Sequence, residues 1–173
     1  MDAVILAGDL TLSDEWNGGI IGPFLKEGHH VFIMSGNHDS QATIDFLTQL
    51  YGITSLEYGN HIHENVGIIG CGGANIGAFA LAEDEMKRRL DASHEKIAHL
   101  EKKIMVTHVH PAGTIAETLT DIFPGSSGVR QAIEELQPDI LICGHVHEAE
   151  GLEEQIGKTK VFNVGEKGKI IDV

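Results

Sequence analysis

The sequence predicts an α/β fold, with buried strands alternating with helices along a single domain, residues 1–173. Two short segments, 3–7 and 31–34, are apolar without polar alternation, which is typical of strands buried on both faces of a sheet. Segments with apolar residues at helical spacing lie between such strands. The length of 173 residues suits one domain with a substantial core.

Composition and charge narrow the classes of partner. The hydrophobic share of 42% and the charged share of 22% are those of an ordinary globular protein. The formal charge of -14 gives no electrostatic reason to bind nucleic acid or an anionic membrane, unless bound metal ions invert the local sign. The eleven histidines are the compositional oddity, and imidazole is a common metal ligand.

Two further features indicate a cytoplasmic location. The two cysteines, Cys71 and Cys143, lie in apolar contexts beside glycines and imply no disulfide framework. The apolar N-terminal segment lacks a basic flank and meets Gly8-Asp9 at once, so we interpret it as a strand and not as a signal peptide.

Turn and capping signals set the expected element bounds. A helix over 13–27 is expected to close at Gly28, and Ser40 is expected to cap a helix over 41–51 that stops at Gly52. The segment 56–73 resembles a hairpin that turns at Glu64-Asn65. Later elements are expected as a helix over 82–102, a strand over 104–106, a loop over 111–127, a helix over 127–136, a strand over 140–143 and two short strands within 157–173.

Polar clusters follow four of the predicted strands. They are Gly8-Asp9, Gly36-Asn37-His38-Asp39, Thr107-His108-Val109-His110 and Gly144-His145-Val146-His147. Open α/β sheets keep their ligand sites at the carboxyl ends of strands, so the four clusters are expected to converge. Oxygen and imidazole ligands suit Mn, Fe, Ni, Co or Zn. A bridging carboxylate with several imidazoles is what a two-metal hydrolase needs, and a nearby histidine can protonate the leaving group.

This series of motifs resembles the calcineurin-like metallophosphoesterase family, and most of all its small archaeal and bacterial phosphodiesterases. The resemblance covers essentially the whole chain in order. It implies a four-layer α/β/β/α sandwich with two mixed sheets. It also implies hydrolysis of small phosphodiesters or phosphomonoesters with one or two divalent metal ions, Mn being the first expectation.

The resemblance also implies roles for individual residues. His38 would be the proton donor, and Asp39 would orient it. Five metal ligands are implied: Asp9 as the bridge, Asn37, His108 and His145 for the second metal, and His147 for the first metal.

The sequence departs from the family pattern at the first motif. The family carries Asp-x-His at the end of its first strand, and that motif is missing here, together with the first strand and first helix. We therefore expect the second metal site to be complete and the first to be weak, or completed by a substitute such as His110. An unpaired sheet edge would result, so we expect dimerisation or a rearranged tail strand to cover it.

Other interpretations remain open at this stage. A metal-bound scaffold without turnover would also fit an incomplete first site, although such a scaffold has no need of His38. An amidohydrolase barrel is disfavoured because the chain is short and its histidine pairs come late. His29 and His30 are predicted at the surface, and a solvated or packed pair is the favoured interpretation of His61 and His63.

Overall fold

The computed structural model describes residues 2–16, 18–120 and 122–173, and its strands form two sheets. The small sheet has the order β1-β2-β3, and its described pairings are all parallel. The large sheet has the order β4-β5-β6-β7-β9-β8 and is mixed, with antiparallel pairs at both edges. The strands are β1 (Ala3–Leu6), β2 (His30–Ile33), β3 (Thr54–Ser55), β4 (Tyr58–His63), β5 (Val66–Cys71), β6 (Lys102–Thr107), β7 (Ile140–Cys143), β8 (Glu153–Ile156) and β9 (Thr159–Asn163).

Helices cover the outer face of each sheet. They are α1 (Ile21–Lys26), α2 (Gln41–Tyr51), α3 (Glu83–Glu95), α4 (Ile115–Thr118) and α5 (Ser127–Leu136). Helices α1 and α2 pack on the small sheet, whereas α3 and α5 pack on the large one. No helix in the described ranges is both long and apolar enough to cross a bilayer.

Alternation along the buried strands builds the layers. In β2, Val31 and Ile33 face the helices, and Phe32 faces the large sheet. In the large sheet, Met105 packs toward α3 and α5 while Val106 packs between the sheets. The strands are thus apolar on both faces, and the predicted four-layer α/β/β/α architecture is confirmed.

Several local predictions also agree with the structure. Helix α2 spans the predicted residues, the Ser40 side chain accepts a hydrogen bond from Thr43 N, and Gly52 ends the helix at φ 64°. The hairpin of β4 and β5 turns at Glu64 and Asn65, which both have positive φ. Each of these predictions depends on residues that are close in sequence, so tertiary packing does not change the outcome.

The first helix is much shorter than predicted. Only Ile21–Lys26 is helical, and the part of the prediction that falls on residue 17 lies outside the described residues. Before it, Ser13 and Asp14 adopt positive φ, and Asp14 Oδ1 accepts 2.7 Å hydrogen bonds from Ser40 N and Thr43 Oγ1. Asp14, which falls within the predicted helix, instead connects this loop to the start of α2.

Two other predicted boundaries were wrong. Helix α3 stops at Glu95, because the chain from Lys102 onward pairs with β5. The two tail strands come earlier than predicted, as the antiparallel pair β8 and β9, which turns through Gly157 at φ 58°. The predicted loop over 111–127 also contains the short helix α4.

Candidate metal centre

The ends of four parallel strands bring the predicted polar clusters together. Strands β1 and β2 of the small sheet lead to Asp9 and Asn37, while β6 and β7 of the large sheet lead to His108 and His145. Asp9, His108 and His145 each offer a ligand atom within 4.8 Å of the others. The site therefore lies where the two sheets meet.

The Nε2 atom of His108 is the centre of this group. It lies 3.1 Å from Asn37 Oδ1, 3.3 Å from Asp9 Oδ2 and 3.1 Å from His145 Nδ1. On the other side of the ring, Nδ1 lies 2.8 Å from the carbonyl oxygen of Ala7. A carbonyl only accepts, so Nδ1 carries a proton and donates it to Ala7.

With the proton of His108 on Nδ1, the atoms around Nε2 repel one another unless a positive charge lies between them. In the neutral ring of His108, Nε2 bears a lone pair, and it faces the acceptor oxygens of Asp9 and Asn37. Lone pairs facing one another at such distances repel, unless a proton or a cation lies among them. A histidine fixed through its other ring nitrogen by a backbone carbonyl is the usual arrangement of a metal ligand. The donor set therefore fits a divalent cation.

Ionisation of the other members favours the same role. Burial works to raise the pKa of Asp9, but its contacts with His108 and with the backbone N–H of His38 lower it overall, so the carboxylate is ionised. Burial, assisted by His108, lowers the pKa of His145 to about 3. His145 is therefore a neutral imidazole at physiological pH, and its lone pair is available.

Glycines allow the two loops of the small sheet to approach this closely. Gly8 has φ 97°, and a Cβ there would lie 2.5 Å from His108 Nδ1. A Cβ at Gly36 would lie 2.5 Å from Asp9 N. Asp9 itself adopts φ 53°, an uncommon conformation for a residue other than glycine. The side chain of Asp9 is aimed at His108 by this strained turn.

The predicted positioning residue Asp39 has a different set of contacts from the expected one. Its buried carboxylate accepts hydrogen bonds from Leu10 N (3.1 Å), Thr11 N (2.8 Å), Thr11 Oγ1 (2.7 Å) and Gly36 N (2.9 Å). Within the described residues it makes no hydrogen bond to the His38 ring. Asp39 thus joins the loop after β1 to the turn after β2, and does not orient His38 directly.

The backbone of the predicted proton donor His38 is held on both sides. Its N–H donates to Asp9 Oδ1 at 3.1 Å, and its carbonyl accepts from Thr11 Oγ1 at 3.1 Å and from Asp14 N at 3.1 Å. The ring is half-buried and forms no hydrogen bond in the part of the chain that the structure describes. The ring is thus attached to a fixed backbone beside Asp9.

The structure does not gather His147 into the group. Its side chain is 58% exposed, at the start of the 3-10 turn His147–Ala149, and its Nδ1 lies 3.5 Å from Glu166 Oε1. Its assignment to the first metal stays a prediction.

His110, the suggested substitute, is fully buried. Its ring stacks on His145 at 6.5 Å between centroids, and burial lowers its pKa. Neither ring nitrogen of His110 has a hydrogen-bond partner among the described residues.

Several residues near the site escaped the sequence interpretation. Glu57 is buried and binds Ser35 N and Ser35 Oγ at 2.8 and 2.7 Å, directly before the turn that carries Asn37. Phe123 packs its ring edge-on against His145, with centroids 4.8 Å apart. No sequence pattern marks Glu57 or Phe123, because each reaches the site through tertiary contacts.

Known structures share this fold. One crystal structure is 23% identical with a TM-score of 0.63, covering 82% of this chain and 60% of that one. TT1561 of Thermus thermophilus is 16% identical with a TM-score of 0.62, covering 81% and 64%. A Staphylococcus aureus protein provisionally assigned as a 5′-nucleotidase, solved with alpha-ketoglutarate, is 17% identical with a TM-score of 0.54, covering 84% and 34%. This chain thus spans less than two thirds of each of these proteins.

The sequence comparison identifies the family. No curated protein matches the chain. A family model described as the calcineurin-like phosphoesterase superfamily domain matches residues 1–171. That match spans nearly all of the sequence and agrees with the fold that the solved structures share. The chain belongs to the calcineurin-like phosphoesterase superfamily.

Proposed function

We propose that this chain is a metal-dependent hydrolase of small phosphodiesters or phosphomonoesters. The observation that carries the proposal is the close approach of Asp9 Oδ2, Asn37 Oδ1 and His145 Nδ1 to Nε2 of His108. Membership of the phosphoesterase superfamily supports the reaction class. The two buried free thiols, Cys71 and Cys143, support a cytoplasmic setting.

Four residues would hold a divalent cation, namely Asp9, Asn37, His108 and His145. Two oxygen and two imidazole donors suit Mn, with Fe, Ni, Co and Zn as alternatives. When bound, such an ion supplies Lewis-acid polarisation of phosphoryl oxygens and lowers the pKa of water. Asp9 is ionised and partly buried, so its attraction for a cation is stronger than that of a fully solvated carboxylate.

His38 is the proposed proton donor. As water adds to phosphorus it loses a proton to solvent, and as the bond to the leaving oxygen breaks the ring of His38 gives a proton to that oxygen. The contacts of its backbone with Asp9 and Thr11 fix the start of the side chain. Since the ring has no hydrogen-bond partner within the described residues, it can turn toward the substrate.

His147 would take part in a second cation site. Its exposed ring beside Glu166 would have to turn toward Asp9 for that purpose. We therefore propose one tightly bound ion per chain, at the site centred on His108, and a weaker second ion that involves His147 or the buried His110.

The exposure of His147 favours a second candidate function. If the first metal site never assembles, the chain would bind one cation and act as a scaffold without turnover. The retained His38 argues for the enzyme, because a scaffold has no use for a proton donor. A variant of His38 with normal metal content separates the two candidates.

The test is Mn²⁺-dependent hydrolysis of bis-p-nitrophenyl phosphate by the purified chain, with metal content measured on the same samples. His38→Ala should lower kcat by about 10²–10⁴-fold, the usual contribution of a proton donor, at unchanged metal content. His99→Ala, which changes an exposed histidine beyond the end of α3, is the matched control. Absence of turnover in the Mn²⁺-loaded chain, or full activity of His38→Ala, would overturn the proposal.

A further inference from the structure

A second histidine cluster lies away from the metal centre. It consists of His30, His61 and His63, hereafter the three-histidine cluster. The ring centroid of His30 lies 5.2 Å from that of His61 and 5.7 Å from that of His63. All three residues are half-buried, in contrast to the surface position that the sequence predicts for His30.

The cluster bridges the two sheets at the end opposite the metal centre. His30 is the first residue of β2 in the small sheet, whereas Asn37 follows the carboxyl end of the same strand. His61 and His63 project from β4 of the large sheet, and His63 pairs with Val66 at the start of β5. The ring of His61 also packs edge-on against Phe32 of β2, at 4.9 Å.

The ring nitrogens of the cluster are poorly satisfied. His63 Nε2 is buried and has no hydrogen-bond partner in the described part of the chain. His30 Nε2 lies 3.0 Å from Thr54 Oγ1, which leaves Nδ1 as its other ring nitrogen. Burial, followed by the charges of His30 and His63, lowers the pKa of His61, so this ring is neutral and keeps a lone pair at neutral pH.

We propose that the three-histidine cluster binds a divalent transition-metal ion of the class that imidazole prefers, with Zn²⁺ as the representative. Two imidazoles on one tetrahedral Zn²⁺, with Zn–N distances of about 2.0–2.1 Å, have ring centroids roughly 5 Å apart. The spacings from His30 are close to this value. In the structure the ligand atoms of the three rings do not all lie within 4.8 Å of one another, so binding would require the rings, which are tilted by 38° and 50° to that of His30, to rotate toward a common point.

Such an ion would link the two sheets and stabilise their packing. One ligand comes from the small sheet and two come from the large sheet, so the ion binds only when the sheets are docked. A ligand that binds the folded state alone raises the melting temperature. Three protein ligands leave a fourth position on the ion for water.

The test separates this cluster from the metal centre. In the double variant His108→Ala/His145→Ala the metal centre is disabled, and Zn²⁺ is titrated by calorimetry. One Zn²⁺ per chain should still bind and raise the melting temperature. Histidine ring signals in ¹H–¹⁵N spectra should shift for His30, His61 and His63. If no Zn²⁺ binds to the folded double variant, the proposal is overturned.

Variants within the cluster provide the second arm. On the same background, His61→Ala and His63→Gln should each weaken Zn²⁺ binding by at least about tenfold, since even partners of a metal ligand contribute this much. The matched control is His99→Ala, which should bind Zn²⁺ as before. Unchanged Zn²⁺ affinity in both cluster variants would overturn the proposal. The ring spectra of the background variant test the same point should either cluster variant fail to fold.

Discussion

Replacing Asp39 tests how the metal centre is held together. Its carboxylate accepts four hydrogen bonds, from the backbone N–H groups of Leu10, Thr11 and Gly36 and from the Thr11 hydroxyl. Asp39→Ala removes both carboxylate oxygens, and with them all four hydrogen bonds, at a position with 0% exposure. Asp39→Asn keeps the shape but places an amide NH₂ where two donors already point.

The magnitude follows from the buried donors that lose their partner. Each buried unsatisfied polar group costs about 1–3 kcal/mol, and water that enters the space left by the carboxylate recovers part of this. A hydrogen bond to a carboxylate contributes about 1.5–3 kcal/mol. We expect Asp39→Ala to lower the free energy of unfolding by about 3–5 kcal/mol and Asp39→Asn by about 1–3 kcal/mol.

The assay is urea unfolding followed by the fluorescence of Trp16, the single tryptophan, which packs against the core beneath α1 and α2. Mn²⁺ affinity is measured alongside it and should fall at least about tenfold in Asp39→Ala, because the loops of Asp9 and Asn37 lose their connection. Asp45→Ala is the control, since this exposed carboxylate contacts only Gln41 on its own helix among the described residues. A loss below about 1 kcal/mol in Asp39→Ala would refute the reasoning.

Three further predictions use the same unfolding assay. Gly36→Ala should cost about 1–3 kcal/mol and abolish Mn²⁺ binding, because the new methyl group would lie 2.5 Å from Asp9 N; unchanged stability would contradict the close approach. Burial raises the pKa of Glu57, so the folded state binds a proton at this carboxyl more tightly than the unfolded state does. The wild type should therefore lose stability relative to Glu57→Gln as pH rises above 4.5. A gain of relative stability over the same pH range would exclude a raised pKa of Glu57. Ser40→Ala should cost about 1 kcal/mol by removing the cap on Thr43 N, whereas Ser40→Gly should cost less.

The sequence predicted those parts of the fold that short-range chemistry determines. The α2 bounds, with the Ser40 cap and the Gly52 stop, and the turn at Glu64-Asn65 depend on residues within one or two turns of chain. The end of α3 depends instead on pairing between β5 and β6, which is a contact between distant segments. The conformation of the segment before α1 likewise depends on the hydrogen bond between Asp14 and Ser40 at the start of α2, and no local sequence pattern indicates that contact.

The candidate site divides in the same way. The residue types at the strand ends predicted that Asp9, Asn37, His108 and His145 would meet, because parallel strands deliver their carboxyl ends to one edge. The contacts of Asp39 were not predictable, since its position beside His38 in sequence says nothing about which loop its carboxylate reaches. The ligand role given to His147 rests on the family pattern and stays a prediction.

The metal centre and the three-histidine cluster share one physical property, which is that both join the small sheet to the large sheet. Asp9 and Asn37 face His108 and His145 across one end of the interface, and His30 faces His61 and His63 across the other. The apolar layer between the sheets stabilises their packing but does not fix their relative position, because the hydrophobic effect depends on the buried area and not on register. Directional contacts at both ends can fix the relative position of the sheets, and ligands on both sheets keep their geometry only if that position is fixed. The precision of the metal centre therefore depends on the whole interface, and a change near His30 is expected to alter the site at the far end of β2 through the packing of Phe32.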